Sequence, residues 1–129
     1  PDLTGDYKVL VYGSKLYVLT RKSRENDFRA SGSGLFSFEK NIPKEILNSA
    51  MYLKKHFKCP YLSIDIAYEH ETQLCHLIEF QFLMFGTYTL EKSPHYFQLN
   101  EGEWSLVEEE SILEEELVNA IIEHISDVQ

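Results

Sequence analysis

Two pairs of β-prone runs, each closed by a polar turn, constrain this chain more than any other feature of its sequence. Tyr7 to Tyr12 and Leu16 to Thr20 are separated by Gly13, Ser14 and Lys15, the pattern of a hairpin. Tyr61 to Ala67 and Leu74 to Phe82, joined by Tyr68-Glu69-His70-Glu71-Thr72-Gln73, read as a second. Between the pairs, Asn41 and Pro43 signal a helix start, and Ile46, Leu47, Ala50, Met51 and Phe57 recur at helical spacing. That helix runs roughly four turns. Lys54, Lys55, His56 and Lys58 crowd its carbonyl pole, where cations are favoured, and Pro60 stops it. Thr87 to Gln98 is aromatic and fits no regular period. Glu108, Glu109 and Glu110 then open a closing helix with one apolar stripe: Leu113, Leu117, Val118, Ile121, Ile122 and Ile125. The order ββ-loop-α-ββ-α predicts one α+β domain over residues 1–129, with a largely antiparallel sheet of two hairpins and helices packed on one face.

Composition narrows the function classes. With 12 Lys and Arg against 21 Asp and Glu, the net charge of −9 repels a phosphate backbone, so nucleic acid is not expected as a partner. The 129 residues, 43% hydrophobic, suffice for one core. Cys59 and Cys75 show no paired spacing and point to a reducing compartment. No run of about 18 apolar residues offers a membrane span, and Pro1 to Asp6 lacks the regions of a signal peptide. A cytoplasmic setting without membrane contact is the expectation. The leading proline predicts a chain cut from something longer. The five histidines show no zinc spacing, no Ser/His/Asp or Cys/His grouping can be argued, and Trp104 reads as a core anchor.

Alternate residues of a strand share a face, so Asp65 lies with Ser63 and Ala67, away from the apolar Leu62, Ile64 and Ile66. On the partner run Glu79 and Gln81 share a face with Cys75 and Leu77. If the connecting loop holds an odd number of residues, Asp65 and Glu79 fall on one face with Cβ atoms about 4.5 to 8 Å apart. Like charges so placed repel, unless a hard divalent cation lies between them; Asp65, Glu79 and the amide oxygen of Gln81 then supply three oxygens to Mg²⁺. The other reading of the same pattern is a half-buried hairpin whose acids face solvent.

From Arg21 to Arg29 the chain carries four bases (Arg21, Lys22, Arg24 and Arg29), followed by Ala30-Ser31-Gly32-Ser33-Gly34. Arginine forks suit phosphate or carboxylate oxygens, and glycines admit close backbone approach, which makes an anion-binding loop. A solvated loop with Glu25 and Asp27 pairing the arginines accounts for it equally. No Gly-Lys-Ser/Thr ending is present, so it is not a P-loop.

Taken in order, Tyr7-Lys8-Val9-Leu10-Val11 with Leu16-Tyr17-Val18, then Asp27-Phe28-Arg29, Ile64-Asp65-Ile66 and Leu77-Ile78-Glu79-Phe80-Gln81 resemble the second half of the ATP-grasp superfamily. The resemblance covers about residues 6 to 82. It implies an ATP-grasp C-terminal subdomain that handles ATP and Mg²⁺ in a carboxylate ligase working through an acyl-phosphate. Asp65, Glu79 and Gln81 would be the metal ligands. Arg29 would be the catalytic residue facing the transferred phosphate, and Arg21, with Arg29, would contact the cofactor. Gln81 stands where the family usually carries asparagine, and Phe82-Leu83-Met84-Phe85-Gly86 replaces its small-residue and proline segment. The resemblance also implies a missing N-terminal half, a small-molecule carboxylate and an amine-type acceptor as partners, no activity from these residues alone, and self-association through uncovered apolar surface. A non-catalytic ATP-grasp-like binding module is the alternative.

Overall fold

The computed structural model describes residues 5–22, 35–83 and 85–127. Its strands are β1 (Gly5–Tyr12), β2 (Lys15–Lys22), β3 (Leu35–Ser37), β4 (Tyr61–Glu69), β5 (Leu74–Gln81), β6 (Tyr96–Asn100) and β7 (Glu103–Val107). Its helices are α1 (Lys44–Phe57), α2 (Tyr88–Lys92) and α3 (Leu113–Asp127). The strands form one antiparallel sheet in the order β5-β4-β1-β2-β6-β7, and β3 also pairs with β2. The α+β class with an antiparallel sheet of hairpins therefore holds.

Strand alternation divides the core into two layers. Val9, Val11, Leu16, Val18, Leu62, Ile64 and Ile66 pack against Ile46, Leu47, Ala50 and Met51 of α1. Leu10, Tyr12 and Tyr17 point to the opposite side, where Leu90 of α2 and Ala120 of α3 cover them. The helices thus lie on both faces of the sheet rather than one. β1 and β2 are apolar on both sides (Val9, Leu10 and Val11 are all fully buried), and such strands need cover above and below.

Two further expectations change. The aromatic stretch around Thr87 to Gln98 contains the short helix α2 and the start of a third hairpin, β6–β7, closed by Glu101 (φ 52°) and Gly102 (φ 81°). Two successive positive-φ residues make the mirror-image turn that matches strand twist. The apolar stripe of α3 is also divided. Leu113, Leu117 and Ala120 pack toward the sheet, with Glu116 anchored by Lys15 at 2.9 Å, whereas Val118, Ile121, Ile122 and Ile125 are exposed. Trp104 is partly buried against the α1 layer and donates from Nε1 to Asn48 Oδ1 at 2.7 Å, as suits an anchor.

One irregularity matters for the site. Glu69 pairs with Leu74, which leaves an even, four-residue loop (70–73). Regular pairing from there would place Asp65 opposite Ile78 and send Glu79 to the other face. Instead the register shifts between Asp65 and Ile66: Ile66 pairs with Leu77, Asp65 with Glu79, and Ser63 with Gln81. Ile78 is the extra residue of a β-bulge, and its insertion reverses the alternation. Cys75 and Leu77 consequently face α1, not the side that carries Glu79 and Gln81 as simple alternation predicts. Deleting Ile78 should therefore be tolerated, because Leu77 and Glu79 would become ordinary neighbours in an unbulged strand with the same partners. Deleting Phe80 instead should lower the melting temperature and shift amide resonances across β4 and β5. Equal damage from the two deletions would refute this account of the bulge.

Candidate functional site

The side of the sheet that carries Leu10 and Tyr12 also carries, nearer the opposite strand ends, a cluster of charges. In β1 the period of two that buries Leu10 and Tyr12 also points Asp6 and Lys8 to this side. Cross-strand pairing then sets Asp6 against Arg21, Lys8 against Asp65, and Asp65 against Glu79. Gly5 allows the close start of β1 on β2: a Cβ there would sit 2.1 Å from the Arg21 carbonyl oxygen.

Arg21 occupies the centre of the cluster. Its Nε and Nη2 donate to the two carboxylate oxygens of Asp6 at 2.7 and 3.1 Å, a bidentate fork. The same Nη2 lies 3.0 Å from Asp65 Oδ1, and Lys8 Nζ lies 3.5 Å from that oxygen. Asp65 Oδ1 is buried, yet neither cation meets it with hydrogen-bond geometry, so the oxygen has ion-pair partners and no aligned donor. Glu79 directly opposes Asp65 on the edge strand and is exposed, and Gln81 donates from Nε2 to Glu79 Oε1 at 3.4 Å. A pocket of about 170 Å³ opens among Lys8, Ser63, Asp65, Glu79, Gln81 and Phe85. Phe85 stands edge-on to Tyr12 and Tyr61 at centroid distances of 6.3 and 5.9 Å, giving the charged floor an aromatic wall.

The structure thus brings Asp65, Glu79, Gln81 and Arg21 onto one face. Arg29 lies outside the described residues. Lys8 and Asp6 escape sequence reading because each is a lone charge at a strand start. Only the β1–β4 and β1–β2 registers show that both converge on Arg21 and Asp65. A larger and mostly apolar cavity, about 430 Å³, lies on the other face between α1 and β5 and contains no carboxylate. Its apolar lining suits an apolar group; the convergence of charged groups favours the smaller pocket as a chemical site.

Among the described residues no three His, Cys, Asp or Glu side chains gather as a self-contained metal site. The donors that do converge are oxygens: two carboxylates in register and one amide. That set suits a hard cation whose coordination is completed by other oxygens, and does not suit a softer metal that needs thiolate or imidazole.

No protein-family model and no curated protein matches the chain. Among solved structures it is similar to macrocyclase MdnC bound with precursor peptide MdnA from Microcystis aeruginosa MRC, at a TM-score of 0.53 and 17% identity. The similarity covers 70% of this chain and 29% of the macrocyclase chain, so the chain spans under a third of that protein's length. At this identity the likeness is one of fold.

Proposed function

We propose that this chain supplies the Mg²⁺- and phosphate-binding face of an ATP-dependent carboxylate ligase. The observation that carries the reading is the in-register Asp65–Glu79 pair, which with Lys8 lines one pocket, while Arg21 pairs with Asp65 from outside that lining. Fold likeness to a macrocyclase solved with a precursor peptide, taken with the ATP-grasp resemblance of the sequence, supports the reading in kind.

Asp65, Glu79 and the Gln81 amide oxygen would hold the cation, which when bound neutralises phosphate charge and fixes phosphate geometry. Lys8 lines the same pocket and would hold phosphoryl oxygens, while Arg21, whose Nε and Nη2 N–H groups are turned to Asp6 and Asp65, would hold Asp65 beside it. Asp6, by locking the Arg21 fork, fixes the direction of those N–H groups. Phe85 lines one wall of the pocket with Tyr12 and Tyr61 packed edge-on against it, and an apolar wall strengthens the charge interactions beside it. Arg29, outside the described residues, would be the group facing the transferred phosphate, as the ATP-grasp resemblance implies. The remaining nucleotide clamp would come from an N-terminal half of a larger enzyme, whose substrates would be a small-molecule carboxylate and an amine-type acceptor. The second reading, a non-catalytic ATP-grasp-like binding module, draws on the extra methylene of Gln81 and on the capture of Asp65 by two cations.

Calorimetric titration with ATP tests the proposal. We expect weak binding in chelator and at least about tenfold tighter binding with Mg²⁺, a difference of about 1.4 kcal/mol. Binding that Mg²⁺ leaves unchanged, or no binding in either condition, would overturn it.

A further inference from the structure

Residues Val118, Ile121, Ile122 and Ile125 follow the i, i+3, i+4, i+7 spacing of a single helix face, and all four point away from the sheet with 54%, 39%, 57% and 49% exposure. α3 therefore presents an apolar ridge outward while a narrower face holds it to the sheet. Isolated exposed aliphatics are ordinary, but four at this spacing form a continuous surface. Its flank is acidic, since exposed Glu114 and Glu115 lie one turn before Val118. On the other side of the sheet the 430 Å³ apolar cavity is a groove between α1 and β5, bounded by Tyr52, Leu53, Cys75 and Leu77. Its flank carries Lys55, three residues after Tyr52, and His56, which stacks on the Tyr52 ring at 6.0 Å, at one end, and Glu45, near Cys75, at the other.

The ridge and the groove are both apolar, the acids before Val118 match the Lys55 end of the groove in charge, and the two sit on opposite faces of one sheet, so they cannot meet within a chain. We propose that the α3 ridge of one copy docks in the α1–β5 groove of a second copy. Two antiparallel α3 ridges facing each other would bring Glu114 and Glu115 toward Asp127 of the other copy, a repulsive arrangement in a chain of net charge −9. A ridge-to-groove contact is head-to-tail, so each copy keeps one free ridge and one free groove, and growth continues past a dimer. The inference is independent of the ligase reading.

Light scattering on the chain across a wide concentration range distinguishes the alternatives. The wild type is expected to exceed the dimer mass at high concentration and to dissociate several-fold more readily at high salt, where flank charges are screened. Ile122→Glu spoils the ridge and Tyr52→Glu the groove; both sites are exposed, so circular dichroism should show intact folds, and each variant alone should be monomeric. Their equimolar mixture should form a dimer and nothing larger, because one good ridge and one good groove remain. Lys55→Glu should weaken wild-type association at least about threefold without touching the apolar contact. A wild type that stays monomeric, association that survives Tyr52→Glu, or a mixture that remains monomeric would each overturn the proposal, the second in favour of ridge-to-ridge pairing.

Discussion

Ile64→Ala is expected to remove about 2 to 5 kcal/mol of stability, a large part of the roughly 5 to 15 kcal/mol that holds a domain of this size. Ile64 is fully buried on β4, between Val9 across the strand pair and the apolar face of α1. Truncation there loses the transfer free energy of the removed carbons and leaves a cavity that a two-sided core cannot close by collapse. Ile78→Ala, on the neighbouring strand, removes the same atoms from the bulge, where the side chain is 56% exposed. It should change stability by no more than about 0.5 kcal/mol. Denaturant unfolding of both variants, with the midpoint compared at constant slope, checks the pair. Comparable losses would mean that β5 packs more tightly than the structure shows.

Asp65→Asn is expected to reverse the role of Mg²⁺ in nucleotide binding. The wild-type carboxylate repels the phosphates of free ATP and attracts the cation that accompanies them; the amide does neither. In chelator the variant should bind ATP more tightly than the wild type, because Lys8 and Arg21 lose a competing anion 3.5 and 3.0 Å away. One unit charge at about 4 Å, screened as in water, corresponds to about 1 kcal/mol, or roughly fivefold in affinity. With Mg²⁺ the order should invert. Removing one partner of a desolvated charge contact costs about 2 kcal/mol or more, so the variant should bind Mg·ATP at least tenfold more weakly. Glu79→Gln should show the same inversion more mildly, since Glu79 is exposed and, among the described residues, no cation is held against it. Parallel titrations of the three proteins, with and without Mg²⁺, provide the test. A variant that loses affinity equally in both conditions would show that Asp65 serves only to hold Arg21 and Lys8 in place, and the metal reading would fall.

Much of the framework was legible along the chain. Two hairpins, the helix after Pro43 and the closing helix rest on periodicity, a property of neighbouring residues that requires no knowledge of the fold. So does the isolation of Asp65 among apolar residues of β4, which made it a candidate before any pairing was known. The third hairpin left a fainter trace: Asn100-Glu101-Gly102 is a turn signal, but the aromatic residues before it fit helix and strand alike. The part of α3 that is buried could not be read, because six apolar residues cover more of the helix surface than the sheet contacts. Pairing register decided the rest. An even loop would have placed Asp65 and Glu79 on opposite faces, and one extra residue at Ile78 placed them on the same face. Likewise Arg21 became the partner of Asp6 and Asp65 only when β1 paired with both β2 and β4. Alternation along a strand is local, so composition and spacing determine it. Which strands meet, and in what register, is set by burial and hydrogen bonding between segments distant in sequence, and for this site only the tertiary structure decided that.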